Sequence, residues 1–344
     1  MTTDHSILRN TNLMSALNAD ALEIDEELQT LWSGYGKIIR LKVINGTKPS
    51  AVIKYIQVPT QVNHPRGWNT DVSHQRKMQS YIVEEHWYQY WASRKLFQTK
   101  DCRIAELYWA YREEESTVLV LEDLDAAGYN GRVSNPSYDQ MCWCLRWLAN
   151  FHAEFLNDAQ SLEACDTQLW ERGTYWHLAT RQDEWQAMED SPLKSQAEKI
   201  DSTLREAKFK TIVHGDAKIA NFCFNQNVGA VAAVDFQYVG AGCGIQDVAL
   251  YFSSCLNSDD CAEFAADLLT FYFGELTAAL KKSKPEINAR DLEEEWRYLY
   301  AFAWADFARF LKGWNAGHWK LHDYCQQQVN LVVESLSNGS QRFS

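Results

Sequence analysis

Residues Thr211 to Phe224 read TIVHGDAKIANFCF, with Asp216, Lys218 and Asn221 held between two apolar runs. Unpaired charges at buried strand ends are costly. These groups must therefore bind one another or something else. A second acid, Asp235, ends the apolar run AVAAVDF after a turn at NQNVG. Asp216, Asn221 and Asp235 offer the oxygen ligands that suit Mg²⁺, which takes one or two carboxylates and leaves its other positions to water and phosphate. A capped turn plus a strand-end Asp is the plainer alternative. It does not account for all three falling in one supersecondary unit.

Lys54 poses a related question, because AVIK sets it on a strand among apolar neighbours. A lone Lys there usually snorkels to solvent, but one held by a carboxylate can point inward at a phosphate. Glu84 and Glu85 both qualify as that carboxylate. Glu84 shares a helix face with Tyr81, Tyr88 and Trp91, and Glu85 shares one with Met78, Ile82 and Gln89. Periodicity does not choose between them. Gly34 and Gly36 lack the third glycine of a dinucleotide fingerprint, since position 39 is Ile39. They also lack the Lys-Ser/Thr pair of a P-loop, since Lys37 is followed by Ile38. What remains is a glycine turn between strands, whose N–H groups can approach phosphate without Cβ interference. A plain hairpin turn fits these two residues equally well.

Hydrophobic patterning supplies the elements that must position these groups. Residues 1–30 read as a helical leader. Ile38 to Ile44 and Ala51 to Ile56 read as strands around Asn45-Gly46. Residues 57–73, with Pro59, Pro65 and Gly67, read as a polar loop. The pattern turns helical from His74 to about Phe97. TVLVLEDLD, residues 117–125, is a buried strand running into an acidic corner. Beyond Ser137 helix dominates, except for a hairpin-like unit within 211–236. The class expected is α+β: a β-rich part over 1–122 with one helix, then a mainly helical part over 123–344, divided near Glu122 to Ala126.

The 344 residues and 46% hydrophobic content suffice for two lobes with real cores. The net charge of -13 disfavours a nucleic-acid partner. Residues 1–122 carry 14 Lys/Arg against 15 Asp/Glu, and the remainder 19 against 31. The acidic second part could attract a cationic ligand, although solubility charge explains it as well. No apolar run approaches a membrane span, and MTTDHSILRN lacks the pattern of a secretory signal. Nine scattered cysteines without metal-type pairing point to reduced thiols and a cytoplasmic location. In WADFARFLKGWNAGHWK, Trp304, Phe307, Trp314 and Trp319 stand near Asp306. Helical spacing makes them core first. An aromatic cage for a quaternary ammonium, or a pocket for an apolar or aromatic ligand, is the alternative.

HGDAKIAN followed by VDF resembles the catalytic and metal loops of the protein-kinase-like superfamily. His-Gly-Asp is similar to the aminoglycoside phosphotransferase and choline kinase branch. SGYGKIIRL, SYIVEEHWY, LVLEDL, LANFHA and VDFQ most resemble the ecdysteroid-kinase-like/CHK group, in the expected order from about residue 30 to about 315. The resemblance implies a bilobal protein-kinase-like fold and ATP-dependent phosphorylation of a hydroxyl on a small molecule. Gly34 and Gly36 would cover the ATP phosphates, and Lys54 would contact the α- and β-phosphates. Glu84, or Glu85 as the fallback, would hold Lys54. Glu122, Asp123 and Leu124 would be the hinge that receives adenine through its backbone. Asp216 would be the base, and Lys218 would neutralise the transferring phosphoryl group. Asn221 and Asp235 would bind Mg²⁺. Asp247, after GAGCGIQ, would brace the catalytic loop. Only about ten residues separate Asp235 from QDVALYF, too few for the activation segment of a protein kinase, and no Ala-Pro-Glu occurs. The rival from another class is a non-catalytic nucleotide-binding pseudokinase or scaffold. Retention of Lys54, Asp216 and Asp235 argues against it.

Overall fold

The computed structural model describes residues 8–31, 34–57, 71–113, 116–157 and 168–338. Most of the expected polar loop, including Pro59, Pro65 and Gly67, lies outside the described residues, as does Cys165. Helix α1 (Thr11–Leu17) is capped by the Asn10 side chain and ended by Asn18 at φ 47°. Strands β1 (Ala21–Thr30), β2 (Gly36–Ile44) and β3 (Ser50–Gln57) follow. After helix α2 (Asp71–His86) come β4 (Arg103–Ile104), β5 (Leu107–Glu113) and β6 (Ser116–Glu122). Five of these strands form an antiparallel sheet in the order β1-β2-β3-β6-β5.

The helical leader expected over 1–30 is corrected at its end: residues 21–30 are an edge strand, while among the described residues Leu8 and Thr11–Leu17 are helical. The Glu- and Leu-rich composition favours helix locally, but pairing with β2 satisfies the backbone instead. Leu22 is the one buried side chain of β1, and the acids stay in water. Charged side chains on an edge strand also discourage pairing with other chains. Leu13 and Leu17 of α1 complete the core over Ile39, Leu41, Val43 and Ile53.

Helix α2 runs into a π-helical turn, Trp87–Trp91, where fully buried Trp87 stacks on Phe236 at 4.9 Å. This contact joins α2 to the segment carrying Asp235. The second part begins with α3 (Tyr138–Phe155), whose Ser137/Gln140 capping box fixes its start. Short helices α4 (Gln182–Ala187), α5 (Pro192–Ser195) and α6 (Ala197–Arg205) precede strands β7 (Thr211–Val213), β8 (Phe222–Asn225), β9 (Ala230–Ala233) and β10 (Gly240–Gly242). Helices α7 (Ile245–Cys255), α8 (Ser258–Ser283), α9 (Ala289–Trp314) and α10 (Asp323–Ser337) complete it. β8 and β9 form the hairpin that the turn at NQNVG predicts. Two pairings have no periodic signal in so few residues: β4 lies parallel to β9, and β10 pairs with β7.

Among the described residues no helix is long and apolar enough to cross a membrane. The eight described cysteines are free thiols. His177 is buried with an unpartnered Nδ1. Burial first, then the nearby Arg172, pulls its pKa down to about 3. An unfolded His titrates near 6.5, so the unfolded chain takes a proton that the folded one refuses. The contribution of neutral His177 is complete above about pH 6.5 and is lost as pH falls from there toward 3. Urea unfolding at pH 7.5, 6 and 5 is expected to show declining stability, with a shallower decline in His177→Gln. Equal slopes would remove His177 as the source.

Candidate active site

Strand β3 lays Lys54 opposite Ile38 on one side and Leu119 on the other. Its ammonium is buried, 2.6 Å from Glu84 Oε2 and 3.1 Å from Asp235 Oδ1. Burial opposes that charge, but Asp235 and Glu84 outweigh it and raise the Lys54 pKa. The choice that periodicity leaves open is made by which face of α2 meets β3. Glu85 turns away, pairing with Arg112 and accepting from Gln89 Nε2 at 3.1 Å.

Asp235 follows β9 at φ 71°, a left-handed conformation uncommon for any residue but glycine and often found at functional sites. Packing over-determines it: the neighbouring Phe236 is buried against Trp87, and Gln237 Nε2 donates to Asp235 Oδ1 at 2.7 Å. Gln237 is fixed in turn by Lys77 Nζ at 3.0 Å and Ser80 Oγ at 3.2 Å, both from α2. Burial works against the Asp235 charge, yet Lys54, Lys218 and Lys77 prevail and hold its carboxyl well below the usual range. The side chain keeps 31% exposure, so one face of the carboxylate is open.

The loop after β7 hangs from Asp247, which is wholly buried at the start of α7. The amides of His214 and Gly215 donate to its two oxygens at 2.6 and 2.9 Å. His152 Nε2 lies 3.1 Å from the same carboxylate, and the Tyr272 hydroxyl is 2.8 Å from His152 Nδ1. His214 Nε2 donates to the Val234 carbonyl at 3.1 Å, tying the loop to the end of β9. Burial lowers the His214 pKa, which fits a neutral ring in that bond. Gly215 is required between His214 and Asp216: its φ is 78°, and a Cβ would stand 2.0 Å from the Tyr238 carbonyl oxygen.

Asp216 is the product of this bracing. Its Oδ2 accepts from Lys218 Nζ at 2.6 Å and from Asn221 Nδ2 at 3.1 Å, and Asn221 Nδ2 also bonds the Asp216 carbonyl at 2.7 Å. Its Oδ1 is buried and has no hydrogen-bond partner among the described residues. A buried oxygen left this way is costly unless a donor arrives. With its Nδ2 spent on Asp216, Asn221 turns its amide oxygen elsewhere.

The glycine turn is open at one residue and tight at the other. Nothing lies within 4 Å of a Cβ built on Gly34 at φ 77°, whereas one on Gly36 would come 2.0 Å from the Tyr55 carbonyl oxygen. Tyr35 between them is buried and sets its hydroxyl 2.6 Å from His74 Nδ1 on α2. At the end of β6 the acids serve structure. Glu122 pairs with Arg103, while Asp123 Oδ2 accepts from Arg40 Nε at 3.0 Å and Ser50 Oγ at 2.7 Å. The carbonyls of Asp123 and Leu124 accept from Ala127 and Tyr129 amides at 3.1 and 2.8 Å.

The aromatic C-terminal stretch divides. Trp304 and Phe307 are core, and Asp306 is fully buried against Arg309, with bonds of 2.9 and 2.8 Å. Trp319 is 57% exposed. Lys77 and Tyr175 join the site or its rim from outside the motifs named above. Each becomes visible only through a partner far away in the chain.

The sequence model of the ecdysteroid kinase-like family matches residues 157–284, a span that holds Asp216, Lys218, Asn221, Asp235 and Asp247. No curated protein matches the sequence. Among solved structures, an ethanolamine kinase of Plasmodium vivax is similar with a TM-score of 0.51 and 12% identity, over 98% of this chain and 87% of that one. An amicoumacin kinase in complex with AMP-PNP and Ca²⁺ gives a TM-score of 0.48 at 12% identity, over 99% and 97%. The choline kinase of Streptococcus pneumoniae gives 0.40 at 12%, over 98% and 100%. The fold is α+β and protein-kinase-like, a β-rich N-terminal part followed by a mainly helical one.

Proposed function

We propose that this protein is an ATP-dependent phosphotransferase that phosphorylates a hydroxyl group of a small molecule. The observation that carries this is Asp216: one carboxylate oxygen is fixed by Lys218 and Asn221, and the other is buried and unpartnered. Such an oxygen is placed to take the proton of a bound hydroxyl. As the hydroxyl oxygen forms its bond to the γ-phosphorus of ATP, the bond to ADP breaks and the proton passes to Asp216 Oδ1. Asp247 holds the loop amides so that this carboxylate does not drift.

The donor side falls to the remaining residues. Lys54, oriented by Glu84, reaches the α- and β-phosphates, while Gly34 and Gly36 bring backbone N–H groups over them. Glu122, Asp123 and Leu124 form the hinge between lobes 1–122 and 123–344, and adenine would be received there by main-chain groups other than the Asp123 and Leu124 carbonyls, which already accept from Ala127 and Tyr129. The Asn221 amide oxygen and the open face of Asp235 fit a divalent ion such as Mg²⁺. Such an ion takes one or two protein carboxylates and shares the rest of its shell with phosphate and water. Bound there, it would shield the charge of the phosphate chain. Lys218 stands beside Asp216, where it can neutralise the transferring phosphoryl group. The free thiols fit a reducing compartment, the cytoplasm.

Asp235→Ala is expected to weaken MgATP binding by about tenfold or more, about 1.4 kcal/mol, and to remove its dependence on Mg²⁺. Calorimetry with and without the metal checks this. Unchanged binding would take Asp235 out of the metal role. A thermal-shift screen of hydroxyl compounds beside a non-hydrolysable MgATP analogue finds the acceptor, because a ligand raises apparent stability by mass action.

A further inference from the structure

Lys320 is the last residue of the aromatic stretch, and it changes what that stretch can recognise. Its ammonium lies 5.4 Å from the centre of the Phe307 ring and 5.7 Å from that of Trp319. A cation within about 6 Å of an aromatic face is in attractive range. The surfaces that might cage a quaternary ammonium are thus already faced by the chain's own cation. No carboxylate pairs with Lys320 among the described residues. The acid of the aromatic stretch, Asp306, is fully buried and bonded to Arg309.

The same wall leads back to the catalytic loop. The Tyr175 amide donates to the Gly215 carbonyl at 3.2 Å, and the Tyr175 ring meets Phe310 edge-on at 5.5 Å. Phe310 lies 6.2 Å from Phe307, over which Lys320 sits. Lys320 is within electrostatic reach of both Asp216 and Lys218. Arg181 adds a third cation, 5.0 Å from the Phe310 ring centre. The acids along this path are already matched: Asp216 by Lys218 at 2.6 Å and Glu184 by Arg181 at 3.0 Å. Burial pulls the Lys320 pKa down to about 8, which still leaves it charged at neutral pH. A cationic acceptor would meet repulsion from Lys320, whereas an anion would find there a positive charge with no carboxylate paired to it among the described residues.

Building on the phosphotransferase reading, we propose that the acceptor is an apolar hydroxy acid, with its hydroxyl at Asp216, its body against the half-buried Tyr175, and its anionic group at Lys320. Lys320 is then a specificity-determining residue for the acceptor. The chemistry transferred is unchanged: the acceptor oxygen gains the phosphoryl group, ADP leaves, and the anionic group takes no part.

Three matched alcohols test this: 4-(hydroxymethyl)benzoate, benzyl alcohol and 4-(hydroxymethyl)benzyltrimethylammonium. Their kcat/KM values are measured with saturating MgATP, and their binding beside a non-hydrolysable MgATP analogue. The benzoate is expected to be favoured over benzyl alcohol by about tenfold or more, the size of one charge-assisted contact, and the ammonium compound to be the poorest. Lys320→Gln should flatten that order and Lys320→Glu should reverse it. The same order in wild type and Lys320→Glu, or no binding by any of the three, overturns the proposal. So does a Lys320→Glu protein whose MgATP affinity falls while its acceptor order stands, which would put Lys320 on the donor. Calorimetry of MgATP on the wild type separates the two levels. Intact MgATP binding and turnover without anion preference defeats only the acceptor class, and absent MgATP binding defeats the phosphotransferase reading with it.

Discussion

Asp216→Asn is expected to lower kcat by about 10³-fold, within the range for loss of a positioned general base, while the Kd for MgATP changes by less than about threefold. The asymmetry between the two oxygens of Asp216 sets this expectation. Oδ2 is occupied by Lys218 and Asn221, so an Asn would keep its oxygen there and turn its NH₂ group toward the acceptor. That group cannot accept a proton. Steady-state kinetics with an identified acceptor, together with calorimetry of MgATP, gives both numbers. Retained turnover would remove Asp216 as base, and a collapse of nucleotide affinity would mean that the side chain supports the donor instead.

Arg309→Leu is expected to cost about 3–5 kcal/mol of stability, because it leaves the Asp306 carboxylate buried and uncompensated. Both side chains are essentially excluded from water, and Arg309 Nη2 also reaches the Trp176 carbonyl at 2.6 Å. Burial pushes the Asp306 pKa up against the pull of Arg309, so the pair holds its charge only while intact. Replacing both, Asp306→Leu with Arg309→Leu, should recover most of the loss, since apolar groups need no partner there. Urea unfolding of the two single variants and the double variant checks this. A double variant as unstable as the sum of the singles would show that the two residues act independently.

Much of this site was legible because its chemistry is local in sequence. Asp216, Lys218 and Asn221 fall within six residues, and the hairpin that carries Asp235 announces itself by its turn. Their bonds to one another then follow over short distances. Residues whose meaning depends on distant partners stayed hidden. Glu84 and Glu85 are equivalent by period, and only the packing of α2 on β3 separates them. The Glu and Leu residues of β1 favour helix until a neighbouring strand supplies the ladder. β5 gives little signal, since its face is only partly buried. Asp306 looked available beside its aromatics, yet the arginine three residues on consumes it. Lys320 closes that stretch, and its placement over Phe307 comes from the fold alone.

Phosphorus NMR of ATP mixed with the protein, Mg²⁺ and a pool of hydroxyl compounds tests the central claim most directly. The account predicts loss of the γ-phosphate signal, appearance of ADP and a new phosphate-monoester resonance, with Asp216→Asn forming none of it on the same timescale. ATP that binds and stays intact, or that yields only ADP and inorganic phosphate, would contradict it.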